Sequence, residues 1–405
     1  MSPDRAASLP VVSCPGLHLD SLGHYLAALG LLEVAARTWP SVRGAWGEEG
    51  FRLVGGPEGR EALTAAVLAV ASAGGLRRYE RAWMASQGRD TREGVADHVA
   101  LWRSDCSEEE CDLLDAHIVT AARLCFNPVL GTGGNSGRRD FAKGWSAAVS
   151  ALGGTKGSSK GLQADLDHFL FGGACASLDH WNGMSWFSET MPPWAMVLAC
   201  EGLPLLAGKS SRRLGANTRR LGAFPFTTEA AAPVRENEAG RTLGEVWAPI
   251  WDRPMAVSEI AALLARGRAE LGRAQAVTAA SFAAAIVQRG VDAGVTELRR
   301  FLLVHTTSSQ TFESTLAKTI RLDRQPARTT ATAVERAVHL RDRLPQDERR
   351  NERWTFRGLR GPIDEALVDL AAMPDDLDAA CALMDALWRA LARVDDNKTF
   401  RGKRV

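Results

Sequence analysis

The residues with the greatest capacity for chemistry in this chain are cationic, and they come in two runs. The first is Gly131-Thr132-Gly133-Gly134-Asn135-Ser136-Gly137-Arg138-Arg139-Asp140-Phe141, with four glycines in seven residues. Glycine admits positive φ and close backbone approach, so such a run can turn successive N–H groups toward an anion. Arg138, Arg139 and Lys143 stand beside it, and Lys156 and Lys160 follow. The second run carries Lys209, Arg212, Arg213, Arg219 and Arg220 among serine, asparagine and threonine, with no acid. Both suit contact with nucleic-acid phosphates: the cations supply charge, and Asn135 and the hydroxyls supply hydrogen bonds. The competing readings stay open, a tight structural turn for the first run and a solvated surface loop for the second. No Gly-Lys-Ser/Thr closes the first run, so it is not a Walker A loop. Its G-x-G-x-x-x-G spacing is not a dinucleotide fingerprint either.

Other chemistry finds weaker support. Cys106, Cys111, His117 and Cys125 give C-x4-C-x5-H-x7-C, a spacing that matches no common zinc knuckle. Asp165, Asp167 and His168 read as a solvated helix face, although two carboxylates there keep a metal-dependent nucleic-acid-processing enzyme as an alternative. The chain contains no G-x-S-x-G elbow and no H-E-x-x-H helix. Nothing in these motifs demands an enzyme, and no cofactor is expected. The strip Glu245-Val246-Trp247-Ala248-Pro249-Ile250-Trp251-Asp252-Arg253-Pro254 could stack bases on tryptophan. Buried tryptophans wedging a proline-punctuated turn are the more ordinary use of such residues.

Charge distribution separates these possibilities better than total charge. The 405 residues hold 49 basic and 48 acidic groups, a net of +1, which excludes a uniformly basic nucleic-acid binder. Resolved along the chain, residues 131–160 carry +4 and residues 203–222 carry +5. Residues 299–360 hold 14 basic against seven acidic groups, and residues 361–396 hold two against nine. Opposite blocks are thus hidden in a neutral sum. The acidic block is expected to face a protein neighbour or a basic subunit.

These residues must be positioned by ordinary globular elements, since the chain is 45% hydrophobic and 24% charged. A helix is expected from Leu22, capped by Asp20 or Ser21, with Leu22, Tyr25, Leu26, Leu29 and Leu32 on one face. A short hairpin around Phe51–Val54 and an Ala-rich helix near 61–73 follow, then a polar helical region to about Leu124. From Asn127 to Trp251 the density of Gly, Pro, Trp and Phe predicts loops, with a helical window at 194–206. Helices return at 258–275 and 278–288, the second capped by Thr278, and Phe301–Val304 reads as a strand. Residues 321–332 read as a linker before helices at 333–343, 363–372 and 377–394. The expected architecture is α+β, predominantly α. A large loop-rich body with small β elements occupies residues 1–325, and a small helical bundle occupies residues 326–405. No apolar run approaches the roughly 18 residues of a membrane span. The seven scattered cysteines read as reduced thiols, and the chain as cytoplasmic.

As an ordered set the motifs resemble a known family. Leu22-Gly23-His24-Tyr25-Leu26-Ala27-Ala28-Leu29-Gly30-Leu31 after Pro15-Gly16 is similar to the start of the large subunit of type I-G (formerly I-U) CRISPR interference complexes. So are the run from Leu130 to Phe141, Pro193-Trp194-Ala195-Met196-Val197-Leu198-Ala199-Cys200-Glu201-Gly202, Phe224-Pro225-Phe226, and Gly244 to Pro254. The resemblance covers residues 15–322, and its specific elements are Gly-Thr-Gly-Gly-Asn and Glu-x-Trp-x-Pro-x-Trp. It implies a non-catalytic subunit of a Cascade surveillance complex. Such a subunit recognises the protospacer-adjacent motif on duplex DNA, promotes R-loop formation and recruits the helicase–nuclease in antiviral defence. The implied partners are CRISPR RNA and target DNA, the Cascade backbone and small subunits, and that helicase–nuclease. The residues expected to touch nucleic acid are Asn135, Arg138, Arg139, Lys143, Lys156, Lys160, Lys209, Arg212, Arg213, Arg219 and Arg220. A pure assembly scaffold without DNA contact is the other alternative.

Overall fold

Ser21 begins the first helix as expected: its hydroxyl accepts from His24 N at 3.3 Å, closing an N-cap on α1 (Leu22–Thr38). The leucine spacing predicts one buried face, but nearly every residue of α1 from Leu22 to Ala35 is buried. The cause is a second apolar helix laid across it, α5 (Pro193–Gly202), itself buried along almost its whole length. Before α1 runs β1 (Val11–Cys14), and after it comes the hairpin β2 (Arg43–Gly47) and β3 (Gly50–Val54). Strand order is β1-β3-β2, all antiparallel. Gly50 turns the hairpin at φ +119°, and a Cβ there would stand 2.7 Å from the Cys14 carbonyl oxygen. Glycine is therefore required at this turn.

The computed structural model describes residues 9–76, 103–120, 124–127, 129, 145, 148–152, 159–172, 193–208, 224–229, 242–265, 270–271, 274–289, 294–305, 312–322, 328–345, 349–350, 353–354 and 358–395. Among these the architecture is α+β and predominantly α. The expected Ala-rich helix is α2 (Arg60–Ser72). Most of the expected polar helical region, residues 77–102, lies outside the described residues, and its described part ends at His117, before Leu124. Helix α3 (Glu108–His117) ends in the two-stranded pair β4 (Ile118–Thr120) and β5 (Leu124–Phe126). Helix α4 (Ser159–Phe171) precedes α5, which passes into a 3-10 turn at Leu203–Leu206.

The largest sheet has the order β11-β10-β7-β6, built from β6 (Thr227–Thr228), β7 (Thr242–Ile250), β10 (Glu297–His305) and β11 (Phe312–Arg321). The tryptophan strip is therefore mostly a strand and not a proline-punctuated turn. Its tryptophans are buried, as their size predicts. Trp247 Nε1 donates to Thr228 Oγ1 at 3.0 Å, and Trp251 Nε1 donates to the Gly44 carbonyl at 2.9 Å. Pro249 is tolerated inside β7 because Trp247 N bonds toward the Phe226 side, and the missing donor two residues on points the same way. The short strand β6 pairs only with Glu245 and Val246, so no ladder bond is lost there. Beyond β7 the chain bonds back to the first hairpin, with Trp46 N to Trp251 O and Gly44 and Met255 exchanging both bonds. The two sheets are thus tied at one corner.

Helix α6 (Val257–Ala265) stops well short of 275, and β8 (Glu270–Leu271) with β9 (Ala274–Gln275) takes the rest of the expected helix. Gly267 and Gly272 interrupt that stretch, and glycine is the poorest non-proline helix former. Thr278 caps α7 (Ala279–Arg289) as expected, its hydroxyl accepting from Ser281 N at 3.1 Å. The C-terminal helices are α8 (Arg328–Arg343), α9 (Gly361–Ala372) and α10 (Leu377–Asp395), with the short pair β12 (Arg349–Arg350) and β13 (Arg353–Trp354) between the first two. Helix α8 thus begins inside the expected linker. The boundary expected near 325 lies outside the described residues. On either side of it the core is continuous: α7 packs on α8 and α9, and one buried apolar cluster extends from Val12 to Val394.

Candidate nucleic-acid interface

An α-helix leaves the carbonyls of its last turn without intrahelical donors. At the end of α3 two of them are satisfied from elsewhere in the chain. The Asp115 carbonyl accepts from Gly208 N at 2.8 Å, and the next one, of Ala116, accepts from Asn127 Nδ2 at 2.9 Å. Asn127 is buried, and its Oδ1 in turn accepts from Val129 N at 3.0 Å. Gly208 immediately precedes Lys209, and Val129 stands two residues before Gly131. The described residues that precede both cationic runs are therefore held at neighbouring carbonyls of one helix end. The Asp115 side chain is ion-paired to Arg103, which fixes that end from a second direction.

The far ends are also anchored. After the first run the next described residue, Trp145, is buried. After the second run Phe224 is also buried, and Phe226 follows at φ +50°. Phe226 lies edge-on to Phe282 of α7, and its carbonyl accepts the Trp247 N–H. Positive φ is uncommon in a residue with a side chain, and here the aromatic packing and the strand bond hold it. Lys160 belongs to the first turn of α4. Two residues on, the Leu162 carbonyl accepts from Trp194 Nε1 at 3.0 Å, which ties that end of α4 to the start of α5.

Of the expected nucleic-acid-binding residues, Asn135, Arg138, Arg139, Lys143, Lys156, Lys209, Arg212, Arg213, Arg219 and Arg220 lie outside the described residues, as does the side chain of Lys160. The structure brings together the roots of the two runs. Composition gives no sign that both start at α3; the one available hint is Asn127, an amide before Pro128, a residue type suited to capping.

The remaining candidates resolve differently. Asp167 accepts from Thr64 Oγ1 at 2.7 Å and so joins α4 to α2, while Asp165 is exposed. Among the described residues no group of three or more His, Cys, Asp or Glu side chains is placed to hold a metal ion. Cys106 and Cys111 are reduced thiols, and His117 and Cys125 have side chains outside the described residues. Burial pushes the Cys14 thiol up to about 12, against a smaller opposing effect of Arg60, which leaves little nucleophilic thiolate at neutral pH.

The acidic block, expected to face a neighbour, in part faces the chain's own basic block instead. Arg300, buried in β10, donates to Glu245 of β7 through Nε and Nη2 at 2.8 Å each, and to Glu365 of α9 through Nη1 and Nη2 at 2.9 Å. Its guanidinium also lies 5.5 Å from the Trp247 ring centroid. Burial alone would lower the Arg300 pKa, but the hydrogen bonds and charges of the two glutamates outweigh it, and the group stays cationic. Arg341 of α8 forks onto Asp364 of α9 at 2.7 and 2.8 Å, and Lys318 of β11 pairs with Asp369. Sequence reading misses this network. Its signals are one acid inside an apolar strand (Glu245) and one arginine inside another (Arg300). No family model matches the chain, and no curated protein matches it.

Proposed function

We propose that this chain is the non-catalytic large subunit of a type I-G CRISPR Cascade surveillance complex. It acts in the cytoplasm, recognises the protospacer-adjacent motif on target duplex DNA, promotes R-loop formation and presents the complex to the helicase–nuclease. The observation that carries the reading is the common root of the two cationic runs on the Asp115 and Ala116 carbonyls. Between Val129 and Trp145 the chain carries +2, and between Gly208 and Phe224 it carries +5. Segments whose flanks are held at one point can follow one stretch of phosphate backbone, whereas separated runs would need separate partners. The ordered motif resemblance supplies the identity of the complex. Among the described residues no helix is long and apolar enough to cross a membrane.

The test is a binding titration of guide-loaded complex, with and without this chain, on duplexes that differ only in the adjacent motif. Motif discrimination is expected to vanish when the chain is omitted; unchanged discrimination defeats the reading. Reversing Lys209, Arg212 and Arg213 is expected to weaken binding on all sequences. The slope of log affinity against log salt should become shallower by about 0.9 for each phosphate that the protein no longer neutralises. A scaffold without DNA contact would tolerate that reversal. A metal-dependent nuclease would cut DNA when magnesium is added to the purified chain, and would lose this on Asp165→Ala.

A further inference from the structure

Helix α10 has two apolar faces and only one of them is covered. Ala379, Leu383, Leu387, Ala390 and Val394 are buried against the body. A second stripe, Leu377, Cys381, Met384 and Trp388, recurs at spacings of four, three and four, the seam of a helix–helix contact. Its large members are open to solvent, with Leu377 at 75%, Met384 at 68% and Trp388 at 74% exposure. Met373, at the turn before the helix, extends the patch. Isolated exposed apolar residues need no explanation, but a stripe that includes tryptophan on one helix does.

Charge on the adjoining stripe determines what can cover it. One residue over from the apolar seam lie Asp378, Ala382, Asp385, Arg389 and Arg393, all exposed. The acids occupy the N-terminal half and the arginines the C-terminal half. In an antiparallel pair related by a two-fold axis, a flanking stripe meets its own counterpart in reverse order. Asp378 then stands by Arg393 of the second copy, and Asp385 by Arg389, while Met384 packs on Trp388 in both directions across the axis. A parallel pair would instead face this stripe with the opposite flank, Ala380, Leu383 and Leu387, which packs against the body, so the charges would find no counterpart. The existing Asp385–Arg389 contact of 2.8 Å within the helix is exposed, so redirecting it costs little.

We infer that the exposed face of α10 is a self-complementary dimerisation surface, on which a second copy of this chain docks its own α10 antiparallel. The helix is 19 residues long, roughly 28 Å. One such pair buries less than the roughly 1,600 Å² of a standard interface, so the dimer is weak, dissociating at about 10–100 µM. This surface involves none of the residues assigned to nucleic acid, and its test reads mass alone, so it stands or falls apart from the DNA-binding reading.

Sedimentation velocity on the purified full chain, from about 1 to about 100 µM, is the experiment. Wild type is expected to move from monomer to dimer over that range. Trp388→Glu should weaken association at least about thirtyfold, and Met384→Glu should reproduce the loss, both with unchanged circular dichroism. Two charge variants complete the test: Asp378→Arg with Asp385→Arg, and Arg389→Asp with Arg393→Asp. Each should be monomeric alone, and the two should form a one-to-one heterodimer when mixed. A wild type that stays monomeric overturns the inference and leaves the face to a different protein. A dimer that survives Trp388→Glu, or a mixture that does not associate, overturns it equally.

Discussion

Two buried ionisable residues set the energetics at the scale of single side chains. Glu245 and Arg300 are almost wholly withdrawn from water, and each is stabilised there by the other, Arg300 by Glu365 as well. Arg300→Ala is expected to cost about 3–5 kcal/mol in urea unfolding, because it leaves Glu245 buried without its guanidinium. Replacing both, as Glu245→Leu with Arg300→Met, should recover most of that loss. Equal losses in the single and double variants would show that the pair is not the unit. His24 is fully buried, and its Nδ1 accepts from His18 N at 3.2 Å. Burial first, and the charge of His18 second, lower its pKa from 6.5 to about 3. Between those values the unfolded chain binds the extra proton, so this contribution is complete above about pH 6.5 and is lost as pH falls toward 3. It amounts to roughly 5 kcal/mol. His24→Asn keeps an acceptor for His18 N without titrating, and should flatten the fall in unfolding free energy between pH 6.5 and 4.

At the scale of elements, the crossing of α1 and α5 decides the packing around the candidate interface. It is closed by two glycines: a Cβ on Gly30 would stand 1.8 Å from the Leu198 carbonyl oxygen, and one on Gly202 would stand 2.2 Å from that of Leu26. Both obstacles are backbone, so neither helix can yield by a rotamer change. Gly30→Ala gains helix propensity, yet it is expected to destabilise the chain by at least about 3 kcal/mol in chemical denaturation. A neutral result would mean that the two helices do not approach this closely. Because Gly208 follows α5 and its 3-10 turn, spreading this crossing should also displace the root of the second cationic run. Gly30→Ala in guide-loaded complex is then expected to weaken target binding as well as stability.

For the whole molecule the controlling fact is how opposite charge blocks are spent. The +7 and −7 stretches partly neutralise each other across the contact of α9 with β10, β11 and α8 through Glu365–Arg300, Asp369–Lys318 and Asp364–Arg341. The cationic runs at 131–160 and 203–222 contain a single acid, Asp140, which is why they carry the functional proposal, although six acids stand close to their flanks at residues 105–115, most of them on α3. Buried pairs and a shared apolar core join the C-terminal helices to the sheet. Unfolding followed by tryptophan fluorescence and by far-UV circular dichroism is therefore expected to give coincident transitions. An early loss of helix before the tryptophan signal would show that the C-terminal helices are an independent unit.

Local signals are legible in the sequence because they depend on neighbours in the chain. Ser21 and Thr278 as caps, the hairpin at Phe51–Val54, the strand at Phe301–Val304 and the three C-terminal helices all follow from side-chain chemistry within a few residues. So does the predominantly α character of the chain. Long-range pairing is not legible, since the Glu245–Arg300–Glu365 network joins residues 55 and 65 positions apart. Pro249 misleads for the same reason: a proline breaks a strand only if a partner lies on its donor side, and that is a fact of the sheet. The cationic composition of the two runs is likewise written in the sequence, but their common origin at the end of α3 is not. A carbonyl left open by a helix end accepts whatever donor the fold delivers, and only the tertiary structure decides that Gly208 and Asn127 arrive there together.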